Sequence, residues 1–264
     1  FSWYDKYSMI VRDIIEMSDH TLLKLCKDAD VIYQLAGSVG VEYVDTHPKE
    51  TLNNNLNLAN KLIPIFDEAG THVVFSSTSE VYGNGPFKED NDLRIGPPTK
   101  LRWGYAAAKL MTEFMIAAGS FKYNIVRFFN VVGPGQLGTY GMVLPRFIQA
   151  AKTNQPLIVY GNGQQTRSFC HVHDAIQMLI RVHEYPNEIF NIGNDNNTIT
   201  INELANIVVD LSSSQSEIIR KNYSEDFSDQ HDDILQRVCS TEKITSYTKH
   251  QPQYSIEDII KDML

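Results

Sequence analysis

Short runs rich in β-branched and aromatic residues alternate along this chain with longer stretches in which apolar side chains recur every three or four positions. Residues 30–36 (DVIYQLA), 71–77 (THVVFSS) and 123–130 (YNIVRFFN) have the length and composition of buried strands. Residues 48–69 and 105–119 carry helical periodicity. Strands separated by helices of this length predict a mostly parallel sheet covered on both faces, an α/β architecture. Beyond residue 133 the order is less regular. Helices are expected over 141–153, 174–184 and 201–211, a short strand over 156–160, and a short amphipathic helix over 255–264. The polar stretch 212–233 reads as a loop-rich surface excursion, and there are no internal repeats.

With 264 residues and 42% hydrophobic content, the chain can bury one large core, or a core and a smaller lobe. A net charge of −9 argues against a nucleic-acid surface built on general positive charge, though it leaves room for a nucleotide ligand held by local donors. No stretch approaches the roughly 20 apolar residues that span a bilayer, and no signal-peptide pattern is visible. Cys26, Cys170 and Cys239 are an odd count without metal-like spacing, which points to reduced thiols in a cytoplasmic protein. His171 and His173 share one face of an extended segment, but no cysteine or carboxylate cluster completes a metal set, so no metal is expected.

The chemistry begins at residues 105–109, YAAAK. Tyr105 and Lys109, four apart, lie on one helix face. A nearby ammonium favours the phenolate and makes the tyrosine a usable base at neutral pH. The strand 71–77 runs into Thr78-Ser79-Glu80-Val81-Tyr82-Gly83, which places small hydroxyls at the carboxyl end of a parallel strand, where open α/β sheets bind ligands. Thr78 is positioned to hold the substrate oxygen that Tyr105 deprotonates.

Together the SSxxxVYG strand end and the YxxxK helix resemble the extended short-chain dehydrogenases that act on nucleotide sugars. The resemblance covers nearly the whole chain. It implies a Rossmann-like NAD-binding domain over 1–132 to which 174–195 returns, and a mainly substrate-binding lobe over 133–264. It implies NAD contacts from Ala36 and Gly37 of the LAG turn, Asn55, Ser76, Ser77, Tyr105, Lys109 and Phe128. It adds Glu80 to Thr78, Tyr105 and Lys109 as catalytic. Substrate contacts are implied for Ser79, for Asn130 in RFFN, for Val143 in GMVLPRF, and for Tyr160, Arg167 and Arg237, the two arginines as diphosphate donors. Leu58 and Ala59 depart from the family's Gly-Thr, and Leu235 stands where related enzymes often carry arginine. Related enzymes commonly dimerise through the YxxxK helix and the one before it, so a homodimer is expected.

The family opens with a strand, a GxxGxxG turn and a helix whose N-terminus faces the cofactor pyrophosphate. That segment is not in this sequence, and FSWYDKYSMIVRD resembles the part after the family's second strand, with Ile10 in place of an aspartate. Loss of the central strand would split a 3-2-1-4-5-6 sheet. The expectation is therefore that the sequence is a piece of a longer chain. The alternatives are a partner chain that supplies the strand, or a relative that no longer binds NAD.

The implied reaction starts with oxidation of a sugar at C4. Serine at 79 is too weak an acid for the 4,6-dehydratase course, in which an aspartate protonates the leaving group. Two courses remain for the 4-keto sugar. Residues 133–147 look like those of UDP-sugar 4-epimerases, which is the favoured reading. The Thr-Ser-Glu triplet with Arg167 and the RWxYxxxK context look like UDP-glucuronic acid decarboxylases, the alternative. A non-catalytic nucleotide-sugar-binding relative is the reading of another class.

Overall fold

The computed structural model describes residues 7–85, 87–138, 141–226 and 233–264. From the N-terminal side come helix α1 (Asp19–Lys27), strand β1 (Val31–Gln34), helices α2 (Val41–Thr46) and α3 (Pro48–Ala69), and strand β2 (His72–Thr78). After a 3-10 turn at Ser79–Tyr82 follow α4 (Trp103–Ala117), β3 (Tyr123–Phe128) and β4 (Val131–Val132). Next are α5 (Val143–Lys152), β5 (Leu157–Tyr160), β6 (Thr166–Ser168), β7 (Cys170–His171), α6 (Val172–Leu179) and β8 (Glu188–Ile192). The remaining elements are β9 (Thr198–Thr200), α7 (Ile201–Ser212), β10 (Ile218–Lys221), α8 (Tyr223–Asp226), β11 (Gln236–Arg237), α9 (Glu242–Thr248) and α10 (Ile256–Met263).

Four strands form one continuous parallel sheet in the order β1-β2-β3-β8. Successive side chains alternate between its faces. Val73, Phe75 and Ile125 pack under α1, α3 and α4 with Leu22, Leu62, Phe66 and Ile116. Val74, Val126, Phe190 and Ile192 face the other way, onto Met178 and Leu179 of α6 and Ile244 of α9. A separate core joins α5, α7 and α10 over β5 through Leu144, Phe147, Leu157, Leu204 and Ile259. Helices α7 and α10 each open with a reciprocal capping box, Thr200 with Glu203 and Ser255 with Asp258, which explains why their starts are sharp.

The predicted long helix over 48–69 matches α3: Pro48 sits in its first turn, and Gly70 closes it in the left-handed conformation at φ 68°. Inside that helix Pro64, which offers no backbone donor, falls on the exposed side. The strand expected over 123–130 ends two residues early. Asn130 adopts φ 33°, and the chain then leaves the sheet so that β4 can pair with β7. The stretch 212–233, expected to be loop, contains β10, which pairs in parallel with β5, and the short α8. Nor is the sheet split: β1 bonds directly to β2, because the strands present all lie to one side of the position a central first strand would take. Among the described residues no helix is long and apolar enough to cross a membrane.

Candidate active site

The carboxyl ends of β1, β2 and β3 open into a cavity of about 440 Å³. Its wall includes Leu35 after β1, Ser76, Ser77 and Thr78 of β2, Ser79 and Glu80 of the following turn, and Tyr105 and Lys109 of α4. Phe128, Asn130 and Arg237 also line it. A second cavity of about 400 Å³ adjoins it and is lined by Val143, Tyr160 and Arg167 among others. Glu80, Arg102, Asn130 and Arg237 belong to both walls and form the seam between them. The structure thus gathers nearly all the residues singled out from the sequence into one two-chambered cleft. Ala36 and Asn55 lie just behind it, lining a void of about 20 Å³ that Lys109 also borders. Gly37 is there because space is short: a Cβ would meet Asn55 Oδ1 at 2.8 Å and Lys109 Nζ at 3.2 Å.

Helix α4 sets the geometry of the polar trio. Tyr105 and Lys109 are one turn apart on the face that packs against β2. Thr78, the last residue of β2, accepts from Glu80 N at 3.3 Å and hydrogen-bonds the Tyr105 phenol. Burial pushes the Tyr105 hydroxyl above its ordinary value, and the Glu80 carboxylate adds to this; Thr78 and Arg237 act in the opposite direction. Lys109 donates from Nζ to Ser76 O at 2.8 Å and lies 4.9 Å from the Phe75 ring centre. Its burial lowers it to about 8, with Glu113 opposing. The expected lowering of Tyr105 by its lysine neighbour is therefore not what this arrangement holds. The lysine is turned to the strand carbonyl, and burial dominates the phenol.

Glu80 differs from the expectation of a catalytic acid or base. Its two oxygens receive Arg102 Nη2 and Arg237 Nη2, each at 3.1 Å. Burial raises a carboxyl, but the two guanidiniums overcome that and hold Glu80 at about 2. A carboxylate so held stays ionised near neutral pH and has no proton to give. The chain of charges continues from Arg102 to Asp233 at 3.7 Å, and from Asp233 to Arg167 at 2.7 Å. Tyr223 OH donates to the other Asp233 oxygen at 2.7 Å. Arg167, expected to reach for a diphosphate, is engaged with Asp233 and with the carbonyls of Thr166 and Ile234. Asn130 uses its amide group on Ser168 O at 3.0 Å.

Two polar atoms in this wall have no hydrogen-bond partner among the described residues: Ser79 Oγ and Arg237 Nε, both buried. Such orphans are rare in folded chains, and in a cleft wall they are donors open to an ordered water or a ligand. Sequence reasoning did not single out Arg102 or Asp233. Each is an unremarkable charge in the sequence and becomes part of the site only when α4 and the turn after β2 meet β11. His171 and His173 lie apart from the cleft. His171 stacks on Tyr254 at 4.0 Å and pairs with Asp262 at 3.0 Å. Among the described residues no group of three or more His, Cys, Asp or Glu side chains is placed to hold a metal ion.

A family model described as the NAD dependent epimerase/dehydratase family matches residues 7–193. The UDP-N-acetyl-alpha-D-glucosaminuronate decarboxylase of Bacillus cytotoxicus is 32% identical over 256 residues, covering 94% of this chain and 79% of its own. UDP-D-apiose/UDP-D-xylose synthase 1 of Arabidopsis thaliana is 27% identical over 93% of this chain and 74% of its own. Among solved structures, the UDP-N-acetylglucosamine 4-epimerase of Methanobrevibacter ruminantium M1, in complex with UDP-N-acetylmuramic acid, superposes with a TM-score of 0.81 at 25% identity, covering 96% of this chain and 82% of that one.

Proposed function

The chain belongs to the NAD-dependent epimerase/dehydratase family, and from that premise we propose that it oxidises a nucleotide-linked uronic acid at C4 and removes its carboxylate as CO2. The observation that carries this reading is the pair of unfilled buried donors, Ser79 Oγ and Arg237 Nε, in the same wall as Thr78, Tyr105 and Lys109. A neutral sugar offers no strong acceptor to this pair, whereas a C5 carboxylate offers two oxygens. The decarboxylase relative supports the same choice and moves the balance away from the epimerase favoured by residues 133–147.

The residues present fit the nicotinamide-ribose end of NAD. Lys109, Tyr105 and the Ser76–Thr78 strand end line one cavity of about 440 Å³, and these are the groups that would hold that end of the cofactor. The pyrophosphate end has no glycine turn in this sequence, whose first glycine is Gly37. Bound NAD would accept hydride from C4 and later return it. Tyr105 takes the C4 hydroxyl proton in its phenolate form, which Thr78 and Arg237 favour against burial, while Thr78 holds the same oxygen. Once C4 is a ketone, the carboxylate on C5 is β to a carbonyl. The bond between C5 and the carboxylate carbon then breaks, CO2 leaves, and the electron pair passes into the C4 enolate. Thr78 and the newly protonated Tyr105 donate to that oxygen, and a proton adds at C5. Three arginines of the cleft, Arg102, Arg167 and Arg237, pair with only two carboxylates, Glu80 and Asp233, and this excess of positive charge favours a substrate bearing a diphosphate as well as a carboxylate.

Incubation of the purified chain with NAD and UDP-glucuronic acid, UDP-N-acetylglucosaminuronic acid or UDP-glucose tests the proposal. CO2 release from a uronic acid supports it. A C4 epimer formed without CO2 establishes the epimerase instead, and no turnover with no NAD bound in a full-length preparation establishes a non-catalytic relative. We also propose a homodimer formed through α4, whose Met111 and Phe114 are 55% and 66% exposed. A reducing, cytoplasmic setting suits three free and buried cysteines.

A further inference from the structure

Helix α4 carries a third polar residue on the face of Tyr105 and Lys109, and the proposed reaction assigns it no role. Glu113 is one further turn along and 4% exposed. One oxygen accepts from the Ser77 hydroxyl and from Arg127 Nε at 3.1 Å. The other accepts from Arg127 Nη2 at 2.7 Å. Arg127, on β3, donates in turn to Tyr82 OH at 2.8 Å, and Tyr82 OH donates to Asn191 Oδ1 at 2.8 Å. A buried ion pair of this kind is weak evidence of stabilisation, since apolar side chains of similar size serve as well. Its position suggests another purpose.

Ser77 stands between the two β2 residues that face the trio. Ser76 offers its carbonyl to Lys109, and Thr78 offers its hydroxyl to Tyr105. The Glu113–Ser77 bond therefore pins the stretch of strand from which both are presented. The other groups around Lys109 are neutral: the Phe75 ring and Ser76 carbonyl from β2, Gly37 after β1, and Asn55 from α3. On its own helix it faces Tyr105 and Glu113, and Glu113 is the anion that acts on it.

We propose that Glu113 is a positioning residue that keeps Lys109 in its ammonium form near neutral pH and fixes the Ser76–Thr78 strand end, from which Ser76 meets Lys109 and Thr78 meets Tyr105. This rests on the C4-oxidising reading for its purpose, but not for its electrostatics. Burial already brings Lys109 down to about 8, so loss of an opposing anion carries its titration towards or below neutrality.

The test follows the Lys109 side chain directly, by 13Cε lysine NMR against pH in the chain without substrate or cofactor, with the signal assigned by Lys109→Arg. In Glu113→Gln the Lys109 midpoint is expected to fall by about one unit or more. Because that variant strands the Arg127 charge, the neutral double variant Glu113→Gln/Arg127→Gln is measured alongside. It is expected to recover thermal stability while keeping the lowered midpoint, and Glu113→Asp to stay near the parent value. A midpoint unchanged in the Gln variants, or restored in the double variant, overturns the proposal. These titrations stand whether or not the chain decarboxylates a uronic acid. Where turnover is observed, the pH profile of Glu113→Gln is expected to lose activity from the alkaline side by the same shift, with KM little changed.

Discussion

Arg237 Nη2 meets Glu80 Oε1 at 3.1 Å across 157 positions of sequence, joining β11 to the turn that follows β2. With Arg102 on the other oxygen, Glu80 becomes a fixed anion that ties α4, the turn and β11 together. The pairing decides what Glu80 can do. Held at about 2, it stays ionised and fixes the guanidiniums of Arg102 and Arg237 in the cleft wall.

The first consequence is an acid sensitivity. Glu80 is held at about 2, against an ordinary value of 4.5. Between these values the unfolded chain binds a proton at this position and the folded chain does not, so stability falls as pH falls through that window. The stabilisation is fully present above pH 4.5 and amounts to roughly 3 kcal/mol, an order-of-magnitude figure from the size of the shift. Urea unfolding of the parent and of Glu80→Gln between about pH 5 and pH 2 checks it. The stability gap between the two should close as the solution is acidified. At neutral pH the variant should be about 3–5 kcal/mol less stable, because two buried arginines lose their counter-charge. A gap independent of pH would place the carboxyl outside the ion pair.

Ser79 is the sharpest probe of substrate charge. Its hydroxyl is 1% exposed and has no partner among the described residues, so Ser79→Ala removes a donor without breaking any bond described in the free protein. The expected result is a weaker grip on a uronic acid, with KM raised about tenfold, corresponding to one hydrogen bond to a charged group. Binding of the matching neutral nucleotide sugar should change little. Titration calorimetry with the two ligands checks the difference, and an equal loss for both would show that Ser79 does not see the carboxylate.

What the sequence revealed, and what it hid, follows the range of the interactions. Tyr105 and Lys109 are four apart on one helix, and Thr78 ends a strand whose apolar run announces it, so the trio is a local pattern. Pro48 and Gly70 mark α3 for the same reason. β8 was not recognised because EIFNI is five residues between turns, and its character comes from pairing with β3. β10 was hidden in a polar stretch because it pairs with β5 alone, and Ile218, Ile219 and Arg220 remain exposed. The pairings of Glu80 with Arg237 and of Glu113 with Arg127 were invisible for a different cause. Each needs the sheet order before two ordinary charges can be seen as one buried unit.

Tyr105→Phe should remove the group that exchanges a proton with the C4 oxygen and little else. Thr78 keeps its bond to Glu80 N, and Lys109 keeps its bond to Ser76 O, so the cleft retains its shape. Turnover is expected to fall about 10²–10⁴-fold, the usual share of a positioned acid or base. Nucleotide-sugar affinity, read by calorimetry, should stay close to that of the parent. Substantial residual turnover would assign the proton transfer to another group.

The last prediction concerns α4 from its outer side. Phe114 is 66% exposed and Met111 55%, on the same helix whose inner face carries Tyr105, Lys109 and Glu113. Two large apolar side chains three positions apart on one helix face suit packing against a second copy of the chain. In a homodimer built there, Phe114→Asp places two unpaired charges in an apolar contact and should shift the protein from dimer to monomer at micromolar concentration. Sedimentation velocity reads the outcome. Because the substitution points away from the cleft, the monomer should keep its Tyr105 environment, seen as an unchanged Lys109 titration. A parent chain that is already monomeric, or a variant that still dimerises, would remove α4 as the interface.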